Sequence, residues 1–275
     1  MNLRISDKHL KSEISILRST IVAARQLERS TTIAPRTKRQ KRLALMIFHD
    51  LANKVDSIHT LAAAGNAIGL EIIARSAFEN FVDLLNLYRH PHHYATYLFY
   101  LSAEHQRTGL QSILNTPDSS YSQSILKNAP IRLGQTVQQM LDATKHEMSQ
   151  YKATLTAQYR RPNRNNAVAE RDIDKTTKHR AKLAGKSDDY EAMYRLFSRP
   201  AHGEIGSMLS SFIVGNDFVW PPVNRPPSSL AVGLAIIMLR DSGKMLSKKL
   251  KRPVAAFKMI EQRWEAWEKK VYADQ

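Results

Sequence analysis

The stretch EIIARSAFENFVDLLNLYRH (residues 71–90) decides the fold. Placed on a helix of 100° per residue, Ile73, Ala77, Phe78, Phe81, Val82, Leu84, Leu85 and Tyr88 cover well over half the circumference. A helix apolar over so wide an arc is central, because only burial on several sides rewards it. What remains is a narrow strip of Arg75, Glu79, Asp83 and Asn86, stacked along one line since residues three and four apart share a face.

Outward from this helix the same period recurs. Helices are expected at 7–30, 39–64, 67–89, 92–115, 131–157, 166–184, 188–198, 201–214, 227–249 and 254–272. The breaks have local causes: Pro35, the GNAIG stretch at 65–69, Pro91, NTPDSSYS at 115–122, and the proline-rich NDFVWPPVNRPP at 216–227. Alternating β-branched segments are nearly absent. The predicted class is therefore all-α, a single bundle of about eight to ten helices. Residues 1–64 read as an N-terminal helical arm packed on a main domain of 65–275, the whole forming one continuous domain.

The 275 residues bury a sizeable core without staples, and there is no cysteine among them. Disulfides, thiolate metal sites and cysteine nucleophiles are thereby excluded, and a reducing, cytoplasmic setting is expected. The first fifteen residues, MNLRISDKHLKSEIS, are charged where a signal peptide needs an apolar run. The longest apolar run, LAVGLAIIML (230–239), falls far short of the roughly 20 residues of a membrane span and reads as a buried helix. No membrane association is expected.

Lysine and arginine number 41 against 25 acids, a formal charge of +16. RNA or another nucleic acid is the first partner such an excess suggests. The excess is clustered in RTKRQKR (36–42), YRRPNRNNAVAERDIDKTTKHRAK (159–182) and KKLKR (248–252). Candidate nucleic-acid contacts are Arg36, Lys38, Arg39, Lys41 and Arg42, together with Tyr159, Arg160, Arg161 and Arg164, where a ring beside cations could stack on a base. The plainer reading makes each run a solvated helix end.

Two further places carry candidate chemistry. The strip of residues 71–90 is either the solvent edge of an amphipathic helix or the lining of an internal cleft, in which Glu79 orients Arg75 toward an anion. In YRLFSRPAHGE (194–204), Ser198 and Pro200 suit a helix start, and His202 stands near it. Histidine exchanges a proton near neutrality and arginine stabilises a charged phosphate, so His202 with Arg195 or Arg199 would suffice for RNA cleavage through the 2′-hydroxyl. Equally, His202 packs at a helix start and Arg195 is surface charge.

RSAFE (75–79), HPHHYATYLFY (90–100) and YRLFSRPAHGEIGS (194–207) together resemble the helical family called domain of unknown function 5677, over about residues 70–215. The six residues between Arg195 and His202 also resemble the R-x(4 to 6)-H signature of the HEPN superfamily. That resemblance implies an all-helical, metal-independent ribonuclease of a toxin or phage-defence system, often a homodimer. In it His202 and Arg195 would be catalytic, with Arg75 and Glu79 supporting. This chain departs by placing Leu196 after the arginine and Pro200 inside the motif, which brings Arg199 forward as the anion ligand.

No phosphate-binding glycine loop, dinucleotide fingerprint, serine elbow or zinc-peptidase pattern occurs, so no cofactor is expected. His90, His92 and His93 alternate around a proline and do not present three imidazoles to one centre, so no metal is expected either. His49, Asp50, Asn53 and Asp56 read as a solvated helix face. The competing function is a non-enzymatic helical module that binds nucleic acid or an acidic partner protein.

Overall fold

The computed structural model describes residues 7–31, 38–66, 69–159, 176–194, 213–214, 217–218 and 229–273. Its helices are α1 (Asp7–Arg29), α2 (Arg39–Ala63), α3 (Leu70–Arg89), α4 (Pro91–Asn115), α5 (Ser120–Leu133), α6 (Val137–Tyr159), α7 (Thr177–Leu183), α8 (Ser187–Asp189), α9 (Ser229–Leu250) and α10 (Ala255–Ala273). A π-helical turn, Tyr190–Tyr194, continues α8. One antiparallel pair, β1 (Ile213–Val214) with β2 (Asp217–Phe218), is the only extended pairing among the described residues. The class is all-α.

Two compact units divide the chain: residues 1–88 with 177–275, and residues 89–176. In the first, α1 packs against α2, α9 and α10, and α9 also packs against α2. The stretch 1–64 thus supplies core: Leu17, Ala24, Phe48 and Val55 are fully buried. α9 is apolar on most sides, with Ala231, Val232, Ala235, Ile236, Met238 and Leu239 buried, as LAVGLAIIML implied. Its Gly243 lets α10 approach closely, for a Cβ there would stand 2.3 Å from the Phe257 ring. α10 answers with Phe257, Ile260, Trp264, Trp267 and Val271 at helical spacing, the two indoles stacked at 4.7 Å.

The described residues of the second unit form a three-helix hairpin. Phe99 of α4 stacks on Tyr151 of α6 at 5.9 Å, and Leu110 clusters with Val137 and Leu141, so these two helices run antiparallel. α5 lies between them in sequence and contributes Ala129 to the same cluster.

Sequence periodicity missed α5 altogether and merged its end into a helix at 131–157. Ser119 caps α5, accepting from the Ser122 amide at 3.1 Å, and the helix ends at Gly134, whose φ of 68° suits glycine. Pro130 within the last turn imitates a helix start. α6 opens with a capping box, Thr136 and Gln139 exchanging bonds of 2.9 and 3.2 Å. The helix expected at 201–214 is corrected at its end, since Ile213 and Val214 are extended. Of the helix expected at 166–184, α7 is the described portion.

Candidate functional site

Where the polar strip of α3 points is decided by α7. Arg180 Nη1 donates to both Asp83 oxygens, at 2.9 Å each, and Nη2 reaches Glu79 Oε2 at 3.5 Å and Thr177 Oγ1 at 3.0 Å. Arg75 Nε lies 3.7 Å from the other Glu79 oxygen. Asn86, with no exposure, donates through Nδ2 to the Arg180 carbonyl at 2.8 Å and so holds α7 by its backbone as well as by its side chain. The strip is therefore not a solvent edge: the Asp83 and Arg180 side chains keep 13% and 12% exposure.

α7 is seated where small residues allow close approach, its Ala181 and the following Ala184 being buried in the same core as α3. The helix stops at Gly185, whose φ is 62°. The chain then runs through α8 into the π-helical turn, whose Tyr190 packs against the core and whose Glu191 pairs with Lys178 at 2.9 Å. Tyr194 is the last described residue before Arg195. Arg195, Arg199 and His202 lie outside the described residues, as do Arg36, Arg160, Arg161 and Arg164.

Formal charge in the cluster balances, Arg75 and Arg180 against Glu79 and Asp83. Its chemistry is that of a clamp: it fixes α7 on α3 and orients the Arg75 guanidinium through Glu79. The sequence reading named Arg75 and Glu79 and missed Arg180, which sat inside a run of surplus cations. Asp83 and Asn86, with their side chains on the inner line of α3, were the signal that a donor had to meet them.

A second polar set joins α1 to α2. Arg25 donates to Asn53 Oδ1 at 2.7 Å and to Glu28 at 3.0 Å, and His49 Nδ1 lies 3.1 Å from Glu28. Asp50 takes bonds of 2.7 Å from both Lys54 and Asn80. Burial pushes the Asp50 carboxyl up, but bonds from Lys54 and Asn80 and the nearby Lys54 and His49 charges outweigh it and hold it below the usual range. The face is solvated as expected, with His49, Asp50 and Asn53 exposed, and its side chains are also tied to α1 and α3.

At the start of α2, Lys38, Arg39, Lys41 and Arg42 are all exposed, with no acid in the first turn and no side-chain cap from Lys38. Cations at the positive end of a helix are unfavourable to the fold. Tyr159 is the last residue of α6. Among the described residues no group of three histidines or acids could hold a metal ion, His90, His92 and His93 included. No described helix is long and apolar enough to cross a membrane.

Residues 42–218, from the first turn of α2 to the end of β2, match the Family of unknown function (DUF5677). The chain belongs to this family. No curated protein and no solved structure matches it. In this DUF5677 member the matched range holds the whole Arg75–Glu79–Asp83–Arg180 cluster and the segment with Arg195, Arg199 and His202. The packing partners α1, α9 and α10 lie outside that range.

Proposed function

We propose that this DUF5677 protein binds RNA through its basic faces and cleaves it without a metal, in the manner of the HEPN ribonucleases its Arg-x6-His spacing resembles. The observation that carries the reading is the start of α2: four exposed cations at a helix end that disfavours them, with no acid in the first turn. Charge held against its own helix dipole serves an anionic ligand better than it serves the fold. The remaining candidate contacts are Arg36, Tyr159, Arg160, Arg161 and Arg164.

In the reaction, His202 takes the proton of the 2′-hydroxyl as that oxygen bonds to phosphorus. The bond from phosphorus to the 5′-oxygen breaks, the leaving oxygen receives a proton, and a 2′,3′-cyclic phosphate remains. Arg195 or Arg199 stabilises the pentacovalent phosphate. Arg75, oriented by Glu79, supports the site from α3. A homodimer with a shared groove is part of this reading, and its contact would lie elsewhere than on α9, whose apolar face is internal.

His202→Ala should lower cleavage of RNA by about 10²-fold or more while leaving affinity and helicity unchanged, the scale of general acid–base catalysis. Arg195→Ala and Arg199→Ala should differ, the one nearer the phosphate losing rate, and activity should persist in chelator. A variant lacking His202 that cleaves as well as the parent but melts earlier would make the histidine structural. A second reading, a non-enzymatic module for nucleic acid or an acidic protein, is favoured by the balanced charge around Arg75. Undiminished RNA binding with no cleavage by the parent protein would establish it.

A further inference from the structure

The turn between α9 and α10 is built from cations in an unusual way. The Arg252 amide donates to the Ser247 carbonyl at 2.8 Å and the Lys251 amide to that of Lys248 at 3.2 Å. These two bonds define a Schellman end, whose first residue past the helix cap is left-handed and most often glycine. Here it is Lys251, with φ of 56°, the only non-glycine in that region among the described residues. A side chain is thus held where a glycine would relieve strain.

Lys248, Lys249, Lys251 and Arg252 are all exposed. Earlier in α9 the basic residues have acids: Arg240 bonds Asp241 at 2.8 Å and Lys244 bonds Glu261 at 2.5 Å. The four at the end have none among the described residues. Favourable placement at a negative helix end accounts for Lys248 and Lys249. It accounts neither for the strained Lys251 nor for Arg252 beyond it.

Beside this corner stands an aromatic ring. Tyr88 of α3 keeps 43% exposure, and the Lys249 ammonium lies 5.1 Å from its ring centroid. A row of unmatched cations next to a half-exposed ring matches a strand that offers phosphates and flat bases together. We infer that Tyr88, Lys248, Lys249, Lys251 and Arg252 form a binding site for single-stranded nucleic acid, the cations on phosphates and the ring on a base. The inference shares its ligand class with the function proposed above, but none of its residues. Recognition of an acidic peptide would use the same lysines and leave the ring idle.

The test uses the full chain, a short single-stranded RNA and inorganic polyphosphate as a polyanion without bases, read by fluorescence anisotropy over a range of salt. Lys251→Gly should melt no lower than the parent, since φ suits glycine, yet bind RNA several-fold more weakly, with the salt slope reduced by about 0.7. Tyr88→Leu should weaken RNA by about 5-fold or more and leave polyphosphate unchanged, since only a base stacks. Parent-like RNA binding by both variants overturns the site. So does equal loss of both ligands in Tyr88→Leu. A Lys41→Gln/Arg42→Gln protein separates the two proposals: if it alone loses RNA, the corner is refuted and the α2 reading stands. If the corner variants alone lose RNA, the corner stands and the α2 contact falls.

Discussion

Charge is used in opposite ways between α3 and α7 and at the start of α2. In the first place every formal charge meets its opposite: Arg180 joins Asp83 and Glu79, and Glu79 joins Arg75. In the second, Lys38, Arg39, Lys41 and Arg42 crowd the positive end of a helix with no acid in its first turn. Matched charge, largely removed from water, is worth most to the fold and has least to offer a ligand. Exposed charge at the disfavoured end of a helix costs the fold a little and is what a polyanion meets first.

The difference can be broken most severely at Arg180. Arg180→Ala leaves the Asp83 carboxylate largely buried without its cation, and thermal or urea unfolding should show a loss of about 3 kcal/mol or more. Replacing both partners by leucine should recover much of that loss, since the pair is then absent rather than half present. A single variant as stable as the parent would show that the cluster is hydrated rather than closed.

Glu13 sharpens the contrast, being a buried acid with no cation paired to it among the described residues. Its carboxyl accepts a 2.6 Å bond from the Ser229 hydroxyl, and one oxygen lies 3.0 Å from where a Cβ on Gly233 would stand. Burial pushes this carboxyl from the ordinary 4.5 up to about 8, against the smaller opposite effect of the Ser229 bond. The folded protein therefore keeps the proton where the unfolded chain has released it, and stability falls as pH rises from about 4.5 to about 8. Glu13→Gln should flatten that dependence. At pH above the window it should exceed the parent in stability by on the order of a few kcal/mol, and melting curves across pH read this directly. A parent whose stability does not decline through the window would remove the neutral buried acid.

The smallest effect belongs to the exposed start of α2. Lys41→Gln/Arg42→Gln should stabilise the protein slightly, by about 0.3–1 kcal/mol, because cations leave a positive helix end. The same change should weaken RNA binding and make it less sensitive to salt. A variant that loses both stability and binding would place these residues on the structural side of the comparison.

The helical elements were largely legible because apolar spacing is a local property. The sequence reading of α1, α2, α3, α4, α9 and α10 falls within three residues of the observed ends. α5 escaped since its apolar residues make no continuous stripe: Ile131 and Leu133 are exposed, and Pro130 reads as a boundary. Of the candidate site, the Arg75–Glu79 pair could be read from a spacing of four on one helix. Arg180, 97 residues from Asp83, could not, because nothing in a run of cations marks the one that will find an acid.

By itself the chain determined its class, the centrality of α3 and the surplus of positive charge, since these follow from composition and from periods of three and four residues. Tertiary structure alone decided which charges were cancelled. It turned the polar line of α3 toward α7 and left cations exposed at the start of α2 and the end of α9. It also buried an acid, Glu13, against the Ser229 hydroxyl, with no cation paired to it among the described residues. Pairing between distant charges depends on which helix faces which, and that is set by the packing of apolar surfaces, to which the charges themselves contribute little.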